Sequence, residues 1–277
     1  MTLALRLAPL LPPVVLRATG EQLGTLAAVT APSRAVVSSH LRILSRASGK
    51  KPIGVREVFR AYGRYWGEFL ALASRPELVR HLVVRVEGLE HLGRAARTGP
   101  VCLLTGHIGN WDLAAAWASS YLGGLTVVAE SLRPPRLYRL MAEVSSRWNI
   151  ETIPSRRAEV SLYRRLRQGR HIALVADRPF GRSLRRVACA GAEAWIPDAG
   201  MLLARRAGAA LIPGFALREM HGYVIRIYPP LDPSGDPASA FGHVLGEVCR
   251  DHAEQWCMLH PVLRPSDTGR TSAEGLA

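Results

Sequence analysis

Short apolar runs alternate with helix-length segments through the middle of this chain, and that alternation limits its fold more than any other feature. Val101, Cys102, Leu103 and Leu104 form the clearest run, too short for a helix and read as a buried strand. Comparable strands are expected near 82–86, 125–129, 150–153 and 172–176, with helical stretches between them. Strand–helix alternation of this kind predicts a mostly parallel sheet with right-handed crossovers. Further strands are expected at 187–190, 209–217 and 223–228, the last two joined through Gly222. Helices are expected over 199–207 and 238–259. The fold class that follows is α/β: a single domain with a mostly parallel central sheet flanked by helices.

Where the 101–104 run stops, the chain reads Gly106-His107-Ile108-Gly109-Asn110-Trp111-Asp112. Asn110 is a helix-capping residue type, and the apolar and alanine-rich stretch after it continues as a helix. His107 and Asp112 therefore stand where a strand ends and a helix begins, the place where open α/β sheets hold ligands. A neutral imidazole can take a proton from a hydroxyl near neutral pH. A carboxylate beside it fixes the tautomer and stabilises the imidazolium. On one continuous helix these two side chains would point about 140° apart, since each residue turns roughly 100°. The pair therefore requires His107 in the loop and Asp112 in the first helical turn, which the glycines permit. The other reading is a polar loop histidine beside an aspartate serving the helix N-terminus.

GHIGNWD is similar to the His-x-x-x-x-Asp/Glu block of the glycerolipid and lysophospholipid acyltransferase superfamily. It resembles most closely the branch of lipid A lauroyl acyltransferases and phosphatidylinositol mannoside acyltransferases. Four further blocks agree in order and spacing: VVAESLRPPRLYRLM (127–141), IALVADRPFG (172–181), LLARRAGAALIPGF (202–215) and EQWCMLHPVLRP (254–265). The resemblance implies a glycerolipid acyltransferase-like domain over 53–265. Before it lies an N-terminal helical, membrane-proximal segment (1–52), and after it a disordered tail (266–277). It also implies an enzyme that moves a fatty acyl chain from acyl-CoA or acyl carrier protein to a hydroxyl of a membrane glycolipid. The acceptor it favours is of the phosphatidylinositol mannoside type, with a lipid A precursor as the alternative. In that reading His107 is the base and Asp112 its orienting carboxylate.

Three acidic residues follow expected strands or lie in the loops beyond: Glu130, Asp177 and Glu193. Strand ends face the ligand crevice, which makes all three candidates to line one cleft. Glu130 resembles a family glutamate near the acceptor headgroup, and Asp177-Arg178 resembles the family's Asp-Gln or Asp-Arg pair. Glu193 departs from the family pattern, whose glutamate aligns nearer Arg186, and is set aside. Arg147 and Arg178 are candidates to hold phosphate, because the guanidinium fork matches its oxygens. A structural ion pair is the competing role for Asp177-Arg178.

The formal charge is +14, from 36 basic and 22 acidic residues, and only Lys50 and Lys51 of the basic set are lysine. Such a balance calls for an acidic partner. Aromatics are 6% of the chain, and no nucleic-acid-binding signature accompanies the charge, so anionic membrane lipid is expected rather than nucleic acid. A non-catalytic basic protein binding membranes or nucleic acid is the rival from another class.

Four scattered cysteines form no C-x-x-C pair, and neither a zinc site nor a disulfide framework is expected. No cofactor is implied beyond the acyl carrier as co-substrate. Met1 to Val15 is apolar but broken by Arg6, Pro9, Pro12 and Pro13, and reads as an interfacial segment or a packed N-terminal helix. Residues 14–48 read as helical with a break at Pro32, and 55–74 as a longer helix with an aromatic stripe. That stripe serves either as core packing or as a wall for an acyl chain. The expected location is the cytoplasmic face of the inner membrane, as a peripheral protein.

Overall fold

A computed structural model describes residues 5, 7–130, 135–155, 158–179, 181 and 183–265. The expected tail at 266–277 lies outside the described residues. Three helices open the chain: α1 (Pro13–Thr30), α2 (Arg34–Ser48) and α3 (Val55–Ser74). The short α4 (Leu78–Leu82) leads to β1 (Val83–Glu87), α5 (Leu89–Thr98), β2 (Val101–Thr105) and α6 (Trp111–Leu122). There follow β3 (Leu125–Ala129), α7 (Pro135–Ser146), β4 (Ile150–Pro154), α8 (Ala158–Arg167) and β5 (Ile172–Val175). The last part holds β6 (Leu184–Cys189), β7 (Ala192–Pro197), α9 (Ala199–Arg206), β8 (Ala210–Glu219), β9 (Gly222–Ile227), α10 (Pro237–Asp251) and β10 (Leu263–Arg264).

Among the described residues the main sheet has seven strands in the order β1-β9-β8-β2-β5-β3-β4. Strands β8, β2, β5, β3 and β4 run parallel to one another. Only the β8–β9 hairpin reverses direction, and β1 joins parallel to β9. The expected α/β class with a mostly parallel sheet flanked by helices is what the chain forms. One face of the sheet packs Leu113 and Ala116 of α6 with Phe69 and Leu72 of α3. The other packs Leu41 and Leu44 of α2, Leu162 of α8, Met201 of α9 and Phe241 of α10. Burying each such large side chain contributes about 1.5–3 kcal/mol, so both layers are firmly held.

Helices α1 and α3 cross at backbone distance. A Cβ added at Gly63 would collide with the carbonyl of Gly20, and one at Gly67 with that of Leu16. Glycines on both helices are therefore what lets α1 lie directly on α3. The break expected at Pro32 separates α1 from α2.

Three local expectations are corrected. Residues 184–197 form a hairpin of a second sheet, ordered β10-β7-β6, where a strand at 187–190 followed by a loop was expected. Its turn is made by Ala190 and Gly191, both at positive φ (53° and 74°), so Ala190 ends pairing and does not extend it. Glu193 consequently sits on a strand, 3.4 Å from Arg186, and not in a loop. Alanine at alternate positions of β7 hides the period-two pattern, since it is a weak strand former. The third correction is at the C-terminal side, where α10 ends at Asp251 and not near 259. A turn at Ala253–Gln255 follows, and the chain then runs extended against the 107–109 loop.

Candidate active site

Strand β2 delivers His107 to the carboxyl end of the sheet. Four β2 residues pair in register with β5, from Cys102 with Ile172 to Thr105 with Val175. Continued past the strand ends, that register carries His107 alongside Asp177. Gly106 permits the approach: a Cβ there would come within 2.8 Å of the Asp177 carboxylate and 3.0 Å of Leu245. Gly109 is at φ 65°, a left-handed conformation, and its Cα lies against the Ala216 carbonyl.

The segment after α10 closes over this loop. The Gly109 amide donates to the Gln255 carbonyl at 3.0 Å, and the Cys257 amide donates to the His107 carbonyl at 2.8 Å. The Asn110 amide donates to Ala216 at 3.0 Å. Asn110 caps α6 as expected, its Oδ1 accepting the Leu113 amide at 3.0 Å.

His107 is oriented by Asp177. Its Nδ1 lies 2.7 Å from Asp177 Oδ1, and its backbone amide donates to Oδ2 at 2.6 Å. The Trp256 indole N–H donates to the same Oδ2 at 2.9 Å. Asp177 is fully buried, whereas the His107 side chain is 28% exposed. Burial alone would raise the Asp177 carboxyl, but the His107 charge and the bonds from His107 and Trp256 outweigh it and hold it below the usual value. For His107, burial disfavours the imidazolium, yet the Asp177 carboxylate prevails and raises it above ordinary histidine. With Nδ1 committed as donor to Asp177, Nε2 carries the free lone pair.

Asp112 does not make the orienting contact expected of it. It accepts a 2.5 Å hydrogen bond from the Tyr65 hydroxyl of α3, and no hydrogen bond joins it to His107. His107 lies in the loop and Asp112 in the first turn of α6, as required, but each side chain takes a different partner, Asp177 after β5 for His107 and Tyr65 of α3 for Asp112. Burial raises its carboxyl, and the Tyr65 bond and His107 offset this only in part. Its charge still acts on His107, favouring the imidazolium.

The Tyr65 ring stacks on Trp111 at 4.0 Å, and Trp111 meets His107 edge-on at 5.0 Å. One turn further along α3, the buried Glu68 accepts from Asn110 Nδ2 at 3.0 Å and from the Tyr223 hydroxyl at 2.6 Å. Helix α3 thus holds both the cap and the first turn of α6.

Glu130 and Arg178 come together at the same end of the sheet, joined by two bonds of 2.9 and 3.2 Å. Arg178 also acts on His107 through its charge. Arg147 is not brought to this site. It precedes β4, at the amino end of that strand, and its guanidinium donates to the Ala73 carbonyl at the end of α3 at 2.7 Å. A surface arginine that ties down a helix terminus is its observed role.

Between α6 and the sheet lies a narrow apolar cleft, lined by Leu103, Thr105, Trp111, Ala114, Ala115 and Phe215 among others. It starts at Trp111, beside His107. Of the two helices expected to wall an acyl chain, α6 lines this cleft and α3 contributes nothing to it. The α3 aromatics pack on one another and on Trp111.

Local sequence pattern does not single out Trp256 or Glu68, and it places Tyr65 only in the aromatic stripe of 55–74. The signals available were the late EQWCMLHPVLRP block and the three-residue spacing that places Tyr65 and Glu68 on one face of α3.

The profile of a family described as bacterial lipid A biosynthesis acyltransferase matches residues 1–265. The chain is 32% identical over 234 residues to a phosphatidylinositol mannoside acyltransferase of Mycobacterium tuberculosis, covering 79% of this chain and 74% of that protein. It is 32% identical over 234 residues to the protein of that name from Mycolicibacterium smegmatis, covering 79% and 77%. A solved structure, the 1-acyl-sn-glycerophosphate acyltransferase PlsC of Thermotoga maritima, aligns over 86% of this chain and 96% of its own with a TM-score of 0.38 and 16% identity. With its residues 1–265 matched by one profile and most of its length by the mycobacterial enzymes, this chain belongs to the bacterial lipid A biosynthesis acyltransferase family.

Proposed function

We propose that the chain transfers a fatty acyl group from a thioester, acyl-CoA or acyl carrier protein, to a hydroxyl of a phosphatidylinositol mannoside-type glycolipid. The observation that carries the reaction is the His107–Asp177 pair at 2.7 Å, with Trp111, a lining residue of the apolar cleft, edge-on to His107. His107 Nε2 takes the proton of the acceptor hydroxyl as its oxygen attacks the thioester carbonyl. The C–S bond then breaks, and the proton passes from Nε2 to the departing thiolate, which leaves as a thiol. Asp177 holds the tautomer and stabilises the imidazolium between these steps. Asp112 adds negative charge without touching the ring.

The developing oxyanion needs donors, and the amides of Gly109 and Asn110 are already spent on Gln255 and Ala216. The first amides of α6, Trp111 and Asp112, have no intrahelical acceptor and are the donors assigned here. Trp111 and the α6 alanines line the slot for the acyl chain. Glu130 and Arg178 flank the acceptor side, where Arg178 meets a phosphate or Glu130 a sugar hydroxyl. The mannoside acceptor is favoured by the names and the 32% identity of the relatives.

The enzyme is assigned to the inner membrane as a peripheral protein. No described helix is long and apolar enough to cross a membrane. The exposed residues of α1 include Leu23 (62%), Leu26 (68%) and Val29 (65%) and not one charged side chain, in a protein of charge +14. Such a face suits insertion at the lipid interface, with the surrounding arginines meeting anionic headgroups.

Purified protein supplied with radiolabelled palmitoyl-CoA and a panel of glycolipids tests this reading. Acylation of a phosphatidylinositol mannoside is the expected product. Acylation of a lipid A precursor alone would overturn the acceptor, and turnover only with acyl carrier protein would restrict the donor.

A further inference from the structure

Asp177 is short of one donor if His107 is its only partner. Its carboxylate is fully buried and must be satisfied by hydrogen bonds. His107 supplies two, and the third comes from the far end of the chain, where Trp256 is itself 3% exposed. The indole N–H is an unusual choice in one respect: it donates but carries no charge and cannot titrate. An arginine or lysine in its place would neutralise Asp177 and cancel its effect on the imidazole. The indole satisfies the oxygen while leaving the whole negative charge to act on His107.

The placement of Trp256 is over-determined. The residue bridges Ile108 in an antiparallel pair, and its two neighbours, Gln255 and Cys257, bond the backbone of Gly109 and His107. Its ring packs 5.0 Å from that of the buried His40 of α2. His40 Nε2 in turn accepts the amides of Val262 and Leu263 at 3.2 and 3.4 Å, which anchors the chain just beyond Trp256.

We propose that Trp256 is a positioning residue of the transfer reaction, its indole N–H keeping Asp177 an acceptor so that His107 stays in the tautomer with Nε2 free. The inference rests on the reading of His107 as the base. Its logic is whether the pair holds one proton or two. If Asp177 is ionised, it accepts from Nδ1–H and Nε2 is basic. If Asp177 takes a proton, its O–H donates to Nδ1, the hydrogen sits on Nε2, and the base is blocked. Removing the indole donor shifts this choice towards the blocked form. The other groups that act on the pair stay in place: Arg178 beside Asp177 and its partner Glu130, Asp112 of α6, His260 beyond Trp256, His40 of α2, and the thiols of Cys189, Cys249 and Cys257.

The test replaces Trp256 with 3-benzothienylalanine, which keeps the bicyclic shape and loses the N–H, and adds Trp256→Phe as a second variant. Both are assayed in the full-length protein with palmitoyl-CoA and phosphatidylinositol mannoside, across pH. The expected result for the isostere is a kcat lower by about 10- to 100-fold, the range set by one hydrogen bond to a charged group. KM for palmitoyl-CoA stays within about two-fold, the protein stays folded with a melting temperature lower by a few degrees, and the acid limb moves to higher pH by up to about one unit. Wild-type kcat and pH profile in the isostere would overturn the proposal. So would a loss in Trp256→Phe that tracks melting temperature alone while the isostere remains active. His107→Ala separates the two layers: if it keeps full activity, the base assignment itself has failed, whatever Trp256 does.

Discussion

His107 Nδ1 and Asp177 Oδ1 lie 2.7 Å apart because two neighbouring parallel strands end in register, β2 before the histidine and β5 before the aspartate. This pairing is therefore a property of the sheet, whereas a contact between positions 107 and 112 would be a property of one loop. A rigid sheet is the better support for a base whose orientation sets the rate.

With His107 as the proposed base, activity requires its neutral form. Burial opposes its protonation, but Asp177 raises its pKa above the usual histidine value of 6.5. Activity is accordingly expected to fall as pH drops through a midpoint above 6.5, since the proton occupies the base. A kcat/KM profile checks this, and an acid limb below 6.5 would contradict it.

The glycine crossing of α1 and α3 supports the site indirectly, since α3 carries Tyr65 and Glu68. Gly63→Ala would drive a methyl into the Gly20 carbonyl. The expected cost is about 1–3 kcal/mol, readable as a lower denaturation midpoint. Gly49→Ala adds a Cβ in open space, though at a positive φ, and its smaller loss serves as the control.

Burial lowers the pKa of His40 to about 4. The folded state keeps it neutral while the unfolded chain takes a proton below 6.5, so stability is lost as pH falls from 6.5 towards 4. The full effect is roughly 3 kcal/mol. Chemical denaturation at pH 7 and pH 4.5 should show the decline, and His40→Gln should flatten it while lowering stability at pH 7. An equal decline in both proteins would remove His40 as its source.

Ala115 lines the apolar cleft beside Trp111. Ala115→Phe is expected to cut transfer of palmitoyl chains by about ten-fold while sparing octanoyl-CoA, because the bulk removes depth and leaves the chemistry intact. Equal losses for both donors would place the acyl chain elsewhere.

Much of this arrangement is readable in the chain. The runs at 101–105 and 125–129, the Asn110 cap and the 55–74 helix follow from local pattern, and the structure places them as the pattern implies. What local pattern does not carry is which side chain meets His107. Asp112 is the neighbour in sequence, but Asp177 is the neighbour in space, and only the strand order β2-β5 distinguishes them. Trp256 was hidden by the same cause: the expected helix to 259 would have carried it away, and its pairing with the 107–109 loop is a long-range contact. Arg147 shows the converse error, a residue chosen for its chemistry although its position before a strand puts it at the wrong end of the sheet.

The most direct measurement compares Asp177→Asn and Asp112→Asn, both folded, in palmitoyl transfer to phosphatidylinositol mannoside. Asp177→Asn should lose about 10³- to 10⁴-fold in kcat, since the amide keeps the shape but no longer fixes the tautomer. Asp112→Asn should lose clearly less, because it acts on His107 through charge alone. A variant at Asp112 as inactive as His107→Ala, beside an Asp177→Asn enzyme with near-normal turnover, would contradict the account.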